Sequence, residues 1–343
     1  MKEQPFIGSK IDPMKNLKIT LKSVTDKDKQ RDWYYVHPEI RNMKGNIVGV
    51  DVPIGDNLAR GLYSLEGFAS FNDSNTKLLD RDGTLLDRAS GNIDIYVFMY
   101  GIDFNLALND YFKITGFPEL LPRYALGNWW CRNTNYNDDR LDDLLLKFDK
   151  KKIPISVLLL DKDWHYRNVG DYKDLRTGFT FNNELFPNPA ETIKRVHLRN
   201  IRVGLQVNPT EGFYPHDQFY QKAREYLGVM SDQIIKFDPL NPKLMDVYFK
   251  VYLHTLEALG VDFFWNDYKG EGDITKLWAT NHYMYLDSDR NPAKRGLILG
   301  RGSIYGTQRY PIVYGGSSEI GWDELSREVF SYINASNAGI GYL

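Results

Sequence analysis

The sequence predicts an α/β protein, with a (β/α)8-type barrel that is incomplete at its C-terminus and preceded by part of an antiparallel β-domain. Three observations lead to this prediction. Short apolar runs alternate with helical segments from about residue 123 onward, which is the pattern of a parallel sheet. Earlier segments alternate polar and apolar residues between turn sequences. The length of 343 residues suits one large α/β domain or two domains.

Residues 1–115 are predicted to form part of an N-terminal β-domain. The run from Asn16 to Lys22 alternates as a half-exposed strand does, and Ile93 to Tyr100 gives a second strand pattern. Turn residues lie between them, as in Asp80-Arg-Asp-Gly83. A short helix pattern from Asp103 to Phe112 then leads to two prolines, which mark the junction with the second domain.

Residues 116–343 are predicted to form the barrel. The predicted strands are Tyr124 to Trp130, Ile153 to Asp161, Ile201 to Asn208, the run after Gly260, Arg295 to Arg301, Tyr310 to Gly315 and a seventh that starts at Gly339. The predicted helices are Asp138 to Lys150, Pro189 to Arg199, 242–259, Trp278 to Leu286 and Glu324 to Ala335. Repeated βα units form a doubly wound sheet or a barrel, and six strands with the start of a seventh favour the barrel. The nucleotide-binding glycine motifs are absent.

Composition restricts the partners and the compartment. The formal net charge of -2 argues against a nucleic acid or an anionic membrane as partner. The single cysteine, Cys131, excludes an intrachain disulfide and is compatible with a reducing compartment. The N-terminus lacks an apolar signal segment, so a cytoplasmic protein is predicted. His165 and His282 show no metal-site spacing, and neither a metal nor a cofactor is predicted.

Three charged residues close predicted strands and are the first candidates for chemistry. Asp161, Asp267 and Arg301 end the second, fourth and fifth strands, and the carboxyl ends of parallel strands form the ligand-binding face. Carboxylates accept hydrogen bonds from sugar hydroxyls, and arginine donates to them. Trp130 and Trp265 are among the indoles that could cover apolar sugar surfaces. The alternatives are helix capping by Asp161, a structural ion pair for Arg301, and tryptophans that belong to the core.

Three blocks resemble glycoside hydrolase family 31, which contains retaining α-glucosidases and α-xylosidases. The blocks are Phe237-Asp-Pro-Leu-Asn-Pro, Gly260-Val-Asp-Phe-Phe-Trp-Asn-Asp-Tyr and Arg301-Gly-Ser-Ile-Tyr-Gly-Thr-Gln-Arg-Tyr-Pro. The resemblance implies that Asp267 is the aspartate nucleophile and that Asp161 and Arg301 contact the bound sugar. Trp265 belongs to the nucleophile motif. An α-glycoside or oligosaccharide is thus the expected substrate.

The sequence departs from the family pattern at the acid/base residue. In Tyr314-Gly-Gly-Ser-Ser-Glu-Ile-Gly-Trp322, Ser317 stands where the family has an aspartate. A serine hydroxyl does not supply a proton near neutral pH, and the loss of general acid catalysis costs about 10²–10⁴-fold in rate. Glu319 or Asp323 substitutes only if the loop bends inward; otherwise both are solvated or capping residues. The alternative function is a non-catalytic carbohydrate-binding or structural remnant.

The end of the chain is the second departure. The family continues into a further strand with histidine and aspartate in the site, whereas this sequence stops at Gly339-Ile-Gly-Tyr-Leu343. An open barrel leaves sheet edges unpaired and part of a core uncovered. We therefore expect either a longer protein, of which this is a piece, or a second chain that completes the barrel.

Overall fold

The structure is a computed structural model, and it describes residues 62–63, 67–74, 76–80, 83–91, 93–230, 232–301, 306–314, 321–322, 325, 335–336 and 339–343. The chain divides into two compact units. Unit 1 consists of Met1–Glu119 and Gly302–Leu343, and unit 2 consists of Leu120–Arg301. The domain boundary after residue 115 stays a prediction. Within the described ranges no helix is both long and apolar enough to cross a membrane.

Among the described residues of unit 1 there are two antiparallel strand pairs. Strand β1 (Phe68–Asn72) pairs with β4 (Ile95–Met99), and β2 (Leu78–Leu79) pairs with β3 (Leu85–Leu86). The predicted strand from Ile93 to Tyr100 is confirmed as β4. The predicted strand from Asn16 to Lys22 lies outside the described residues.

Helix α1 (Phe104–Thr115) follows β4 and packs against it. The Asp103 side chain caps the helix by accepting a hydrogen bond from the Leu106 amide over 2.9 Å. Ala107 and Tyr111 lie four residues apart on one face of the helix, and both are buried together with Phe98 of β4. This small core confirms the helix predicted after residue 102.

Unit 2 is built on a parallel sheet. Its strands are β5 (Trp129–Cys131), β6 (Val157–Leu160), β7 (Arg202–Val207), β8 (Phe263–Asn266) and β9 (Ile298–Arg301). They are hydrogen-bonded side by side in chain order, and each neighbouring pair is parallel. Every residue of β6, β8 and β9 is buried, as expected for a parallel sheet covered on both faces.

Helices connect the strands of unit 2. They are α2 (Asp138–Lys151), α3 (Pro189–His197), α4 (Tyr220–Leu227), α5 (Pro242–Val247), α6 (His254–Ala258) and α7 (Ile274–Ser288). A π-helical turn, Tyr248–Leu253, joins α5 to α6. The βα alternation predicted from the sequence is therefore present, while α4 was missed.

Helix α2 shows why these segments are helical. The Asn137 side chain accepts a hydrogen bond from the Arg140 amide over 3.0 Å and so caps the first turn. Acidic residues occupy that turn and lysines occupy the last, which complements the helix dipole. Leu141 and Leu145, one turn apart, are buried.

The prediction of a strand from Tyr124 to Trp130 is wrong over its first residues. Arg123–Leu126 forms a 3-10 turn, and the strand begins only at Trp129. The carbonyl of Pro122 accepts a hydrogen bond from the Ala125 amide over 2.9 Å, which closes the turn. Because that amide bonds locally, it does not join the sheet ladder.

The prediction of a seventh strand that starts at Gly339 is also wrong. Strand β10 (Ile312–Tyr314) in unit 1 confirms the sixth predicted strand, but residues 339–343 form no strand. Gly339 has a left-handed φ of 77°, and the Val313 amide of β10 donates a hydrogen bond to the Tyr342 carbonyl over 3.0 Å. Most of the helix predicted from Glu324 to Ala335 lies outside the described residues.

Candidate active site

The sheet register brings five side chains to one face of unit 2. It aligns Gln206 of β7 with Trp265 of β8. It also brings Asp161, the first residue after β6, level with Gln206, and Arg301, the last residue of β9, level with Asp267. Because side chains alternate along a strand, all five point to the same face near the carboxyl ends of the strands.

The carboxylate of Asp267 is held by two neighbours. Arg301 donates to Oδ1 from Nε over 2.7 Å and also from Nη2. Gln206 donates from Nε2 to Oδ2 over 2.7 Å. The Arg301 side chain is only 5% exposed, whereas that of Asp267 is 14% exposed. Asp267 is thus an ion-paired carboxylate with a fixed orientation and some access to solvent.

Asp161 is a second, half-buried carboxyl group beside this pair. Its Oδ1 accepts a hydrogen bond from the Lys162 amide over 2.7 Å, so it caps the 3-10 turn Lys162–Trp164, as the capping alternative predicted. Burial raises the pKa of Asp161, and the negative charges of Asp163 and Asp267 raise it further, against the effect of Lys162. Asp161 therefore lies within electrostatic reach of Asp267.

Two asparagines connect the strand ends behind the charged residues. Asn266 donates from Nδ2 to Oδ1 of Asn281 over 2.7 Å, and Asn281 donates from Nδ2 to the Arg301 carbonyl over 3.0 Å. A Cβ atom on Gly300 would lie 2.9 Å from Oδ1 of Asn281, so α7 approaches β9 closely only because residue 300 has no side chain. This connection fixes Asp267 and Arg301 relative to each other.

The tryptophans occupy different positions. Trp265 lies on the site face but is only 7% exposed. Trp130 lies on the opposite face, where its ring packs edge-on against Phe148 of α2 at 5.2 Å and its Nε1 donates to the Tyr136 hydroxyl. The substrate contacts of both stay predictions, and for Trp130 the packing favours a core role.

The sequence did not single out two residues of the site face. Gln206 is the one polar side chain in the buried run Val203-Gly-Leu-Gln-Val207, and a polar residue in such a run is a usable signal. Cys131 is level with Leu159, two residues before Asp161. Desolvation of its sulfur, and then the charge of Asp161, raise the pKa of Cys131 to about 12, although part of the residue is exposed. Its thiol is therefore protonated and is a poor nucleophile.

The acid/base position lies outside the described residues. Ser317, Glu319 and Asp323 all fall in segments 315–320 and 323–324. Their roles, and the carboxyl separation of about 5–5.5 Å expected for a retaining enzyme, stay predictions.

In the part of the chain that is described, no three histidine, cysteine or carboxylate side chains are grouped to hold a metal ion.

Comparisons with known proteins match the chain to one family of sequences. Residues 118–343 match the sequence model described as "Glycosyl hydrolases family 31 TIM-barrel domain". An α-xylosidase of Saccharolobus solfataricus is 25% identical over 279 residues, which cover 74% of this chain and 37% of that enzyme. Alpha-glucosidase 2 of Bacillus thermoamyloliquefaciens is 24% identical over 291 residues, with 74% and 36% covered. The chain therefore spans little more than a third of the length of these relatives.

Solved structures of that family share the fold. An α-xylosidase from Xanthomonas citri gives a TM-score of 0.58 at 21% identity, over 73% of this chain and 31% of that one. A dextranase from Flavobacterium johnsoniae, in complex with glucose, gives 0.60 at 20% identity, over 72% and 34%. Together with the parallel sheet of unit 2 and the separate antiparallel strands, these matches confirm the predicted fold class.

Proposed function

The chain belongs to glycosyl hydrolase family 31, and on that basis we propose that it is a retaining α-glycoside hydrolase with Asp267 as its nucleophile. The observation that carries the proposal is the carboxylate of Asp267, which is fixed by Arg301 and Gln206 and still 14% exposed. The relatives named α-xylosidase and α-glucosidase support an α-xyloside or α-glucoside as substrate.

The chemistry assigned to Asp267 needs an ionised, oriented carboxylate. The ion pair with Arg301 and the hydrogen bond from Gln206 restrict rotation of the carboxylate. In the proposed reaction a carboxylate oxygen attacks the anomeric carbon, the aglycone leaves, and the covalent glycosyl-enzyme is hydrolysed by water with net retention.

Asp161 is proposed to hold the sugar. Its Oδ1 is used by the Lys162 amide, while the carboxyl group remains half-exposed on the same face as Asp267. A carboxylate there accepts hydrogen bonds from sugar hydroxyls and stabilises the positive charge that develops at the anomeric carbon.

With serine at position 317, the rate of hydrolysis is expected to depend on the leaving group of the substrate. Because serine replaces the acid/base aspartate of the family, substrates with a poor leaving group lack a proton donor. Aryl glycosides and glycosyl fluorides need little protonation. They are therefore expected to react at least about 10²-fold faster than an unactivated disaccharide.

The test is an assay of aryl α-glucosides, aryl α-xylosides and the matching fluorides against unactivated disaccharides. Asp267→Asn is expected to remove turnover of the activated substrates, while Asp171→Asn, at an exposed loop position, retains it. Equal rates on activated and unactivated substrates would show that another residue donates the proton.

Ser317 also favours a second candidate, a non-catalytic carbohydrate-binding or structural remnant of such an enzyme. Calorimetric titration with an α-glucoside separates the two. Binding that needs Asp161, without any turnover that needs Asp267, would establish the remnant in place of the enzyme.

A further inference from the structure

The two oxygens of the Asp267 carboxylate are not equivalent. Oδ1 accepts two hydrogen bonds, from Nε and Nη2 of Arg301, and Oδ2 accepts one, from Nε2 of Gln206. A carboxylate has two lone pairs on each oxygen. Among the residues that the structure describes, both lone pairs of Oδ1 are therefore occupied, and one lone pair of Oδ2 is unused.

Gln206 is itself rigidly held. It lies within β7, its side chain is buried, and its backbone carbonyl accepts a hydrogen bond from Nε1 of the buried Trp164 over 2.8 Å. Its Oε1 is buried and has no hydrogen-bond partner within the described ranges. The unpaired acceptor costs about 1–3 kcal/mol. Among the described residues, the bond from Nε2 to Asp267 is the hydrogen bond that orients this side chain.

We propose that Gln206 is a positioning residue that makes Oδ2 of Asp267 the attacking oxygen. The inference rests on the function proposed above. Gln206 restricts rotation of the carboxylate, while Arg301 withdraws Oδ1 from attack. In the glycosylation step the free lone pair of Oδ2 forms the bond to the anomeric carbon, and the electron pair of the glycosidic bond leaves with the aglycone. Oδ1 then becomes the ester carbonyl oxygen, still bound by Arg301.

The first test compares two substitutions of buried glutamines. Gln206→Met keeps the chain length and removes the donor to Asp267. Gln308→Met is the matched control in unit 1, where the glutamine Nε2 donates to Thr115 and Gly116. With an α-glycosyl fluoride, kcat of Gln206→Met is expected to fall about 10²-fold. Its KM is expected to change less than about threefold, and Gln308→Met to keep the parent kcat. A kcat of Gln206→Met within about twofold of the parent would overturn the role.

The second test is a readout that a merely space-filling residue does not change. In Gln206→Glu, a protonated glutamic acid donates to Oδ2 as the amide does, and an ionised glutamate repels it. The ratio of kcat in Gln206→Glu to the parent kcat is therefore expected to fall as pH rises. A ratio that is independent of pH would contradict the proposal.

Crystal structures keep this inference distinct from the proposed function. In Gln206→Met the Asp267 carboxylate is expected to rotate away from its parent orientation while the Arg301 contact remains. An unchanged orientation would refute the positioning role, whether or not the parent turns over. A parent that hydrolyses no α-glycoside would instead refute the function.

Discussion

Nε of Arg301 lies 2.7 Å from Oδ1 of Asp267, and the two residues form an ion pair at the carboxyl ends of adjacent strands. The sequence predicted both residues at this edge, with Arg301 either in a structural ion pair or, as the resemblance implies, in contact with the sugar. Its side chain is almost fully buried and paired with Asp267, as the ion-pair alternative predicts. A contact with the sugar stays a prediction.

Replacement of Arg301 by methionine is expected to reduce both stability and turnover. The change leaves a largely buried carboxylate without its cation, which costs about 3–5 kcal/mol in the free energy of unfolding. Turnover of an aryl glycoside is expected to fall about 10²–10³-fold. Urea denaturation and steady-state kinetics measure the two effects. Arg199→Met, which breaks a surface pair with Asp149, is the control and should cost under about 1 kcal/mol. Equal midpoints for the two variants would contradict the prediction.

Asn281→Leu is expected to lower the free energy of unfolding by about 2–4 kcal/mol. The substitution removes the acceptor of the Asn266 amide and the donor to the Arg301 carbonyl, both of which are buried. Asn183→Leu, at an exposed position, controls for the change of residue type. Chemical denaturation measures the difference. If both variants unfold at the same denaturant concentration, the connection behind the site carries no stability.

Asp161→Asn is expected to raise the melting temperature at neutral pH and weaken sugar binding. Because burial raises the pKa of Asp161, the folded state favours its protonated form. The stability that the folded state gains from protonated Asp161 is fully present below the unfolded pKa of about 3.9. It is lost as pH rises through the higher folded pKa. Asp161→Asn does not suffer this loss of stability at neutral pH. Its melting temperature should therefore exceed that of the parent at neutral pH and equal it in acid. Asp143→Asn, at an exposed position of α2, controls for the change of residue type. A gain that persists below pH of about 3 would contradict this account.

His165 is expected to make the protein less stable in mild acid. Burial lowers its pKa to about 4, and its ring packs edge-on against Trp164 at 5.3 Å. The unfolded state, with a pKa of about 6.5, therefore binds a proton that the folded state does not. Stability should fall by up to about 3 kcal/mol as pH drops from about 6.5 to 4, with no further loss from this group below. Denaturation of the parent and of His165→Phe at several pH values measures this loss, and an identical pH dependence in the two would exclude His165 as its source.

The sequence predicted the charged residues of the site better than the polar residues that support them. Asp161 and Asp267 follow apolar strands and Arg301 ends one, and these positions can be read from the sequence alone. The bond from Gln206 to Asp267 joins residues 61 positions apart and depends on the register between β7 and β8. The register is set by packing, which the sequence does not display.

Local turns account for the remaining differences in the fold. Tyr124 to Leu126 has strand-like composition, yet Pro122 closes a turn there. Helix α4 was missed, although Gly228, with φ of 74°, marks its end in the left-handed conformation that favours glycine. Residue composition over short windows does not decide between a tight turn and a strand, since both are fixed by hydrogen bonds to particular partners.

The division of the chain has a consequence for synthesis on the ribosome. Unit 2 is one uninterrupted segment, whereas unit 1 combines residues on either side of it. The hydrogen bond between the Tyr111 hydroxyl and Gln308 joins residues 197 positions apart. At about 5–20 residues per second, roughly 10–40 seconds therefore pass between the synthesis of helix α1 and the synthesis of this partner.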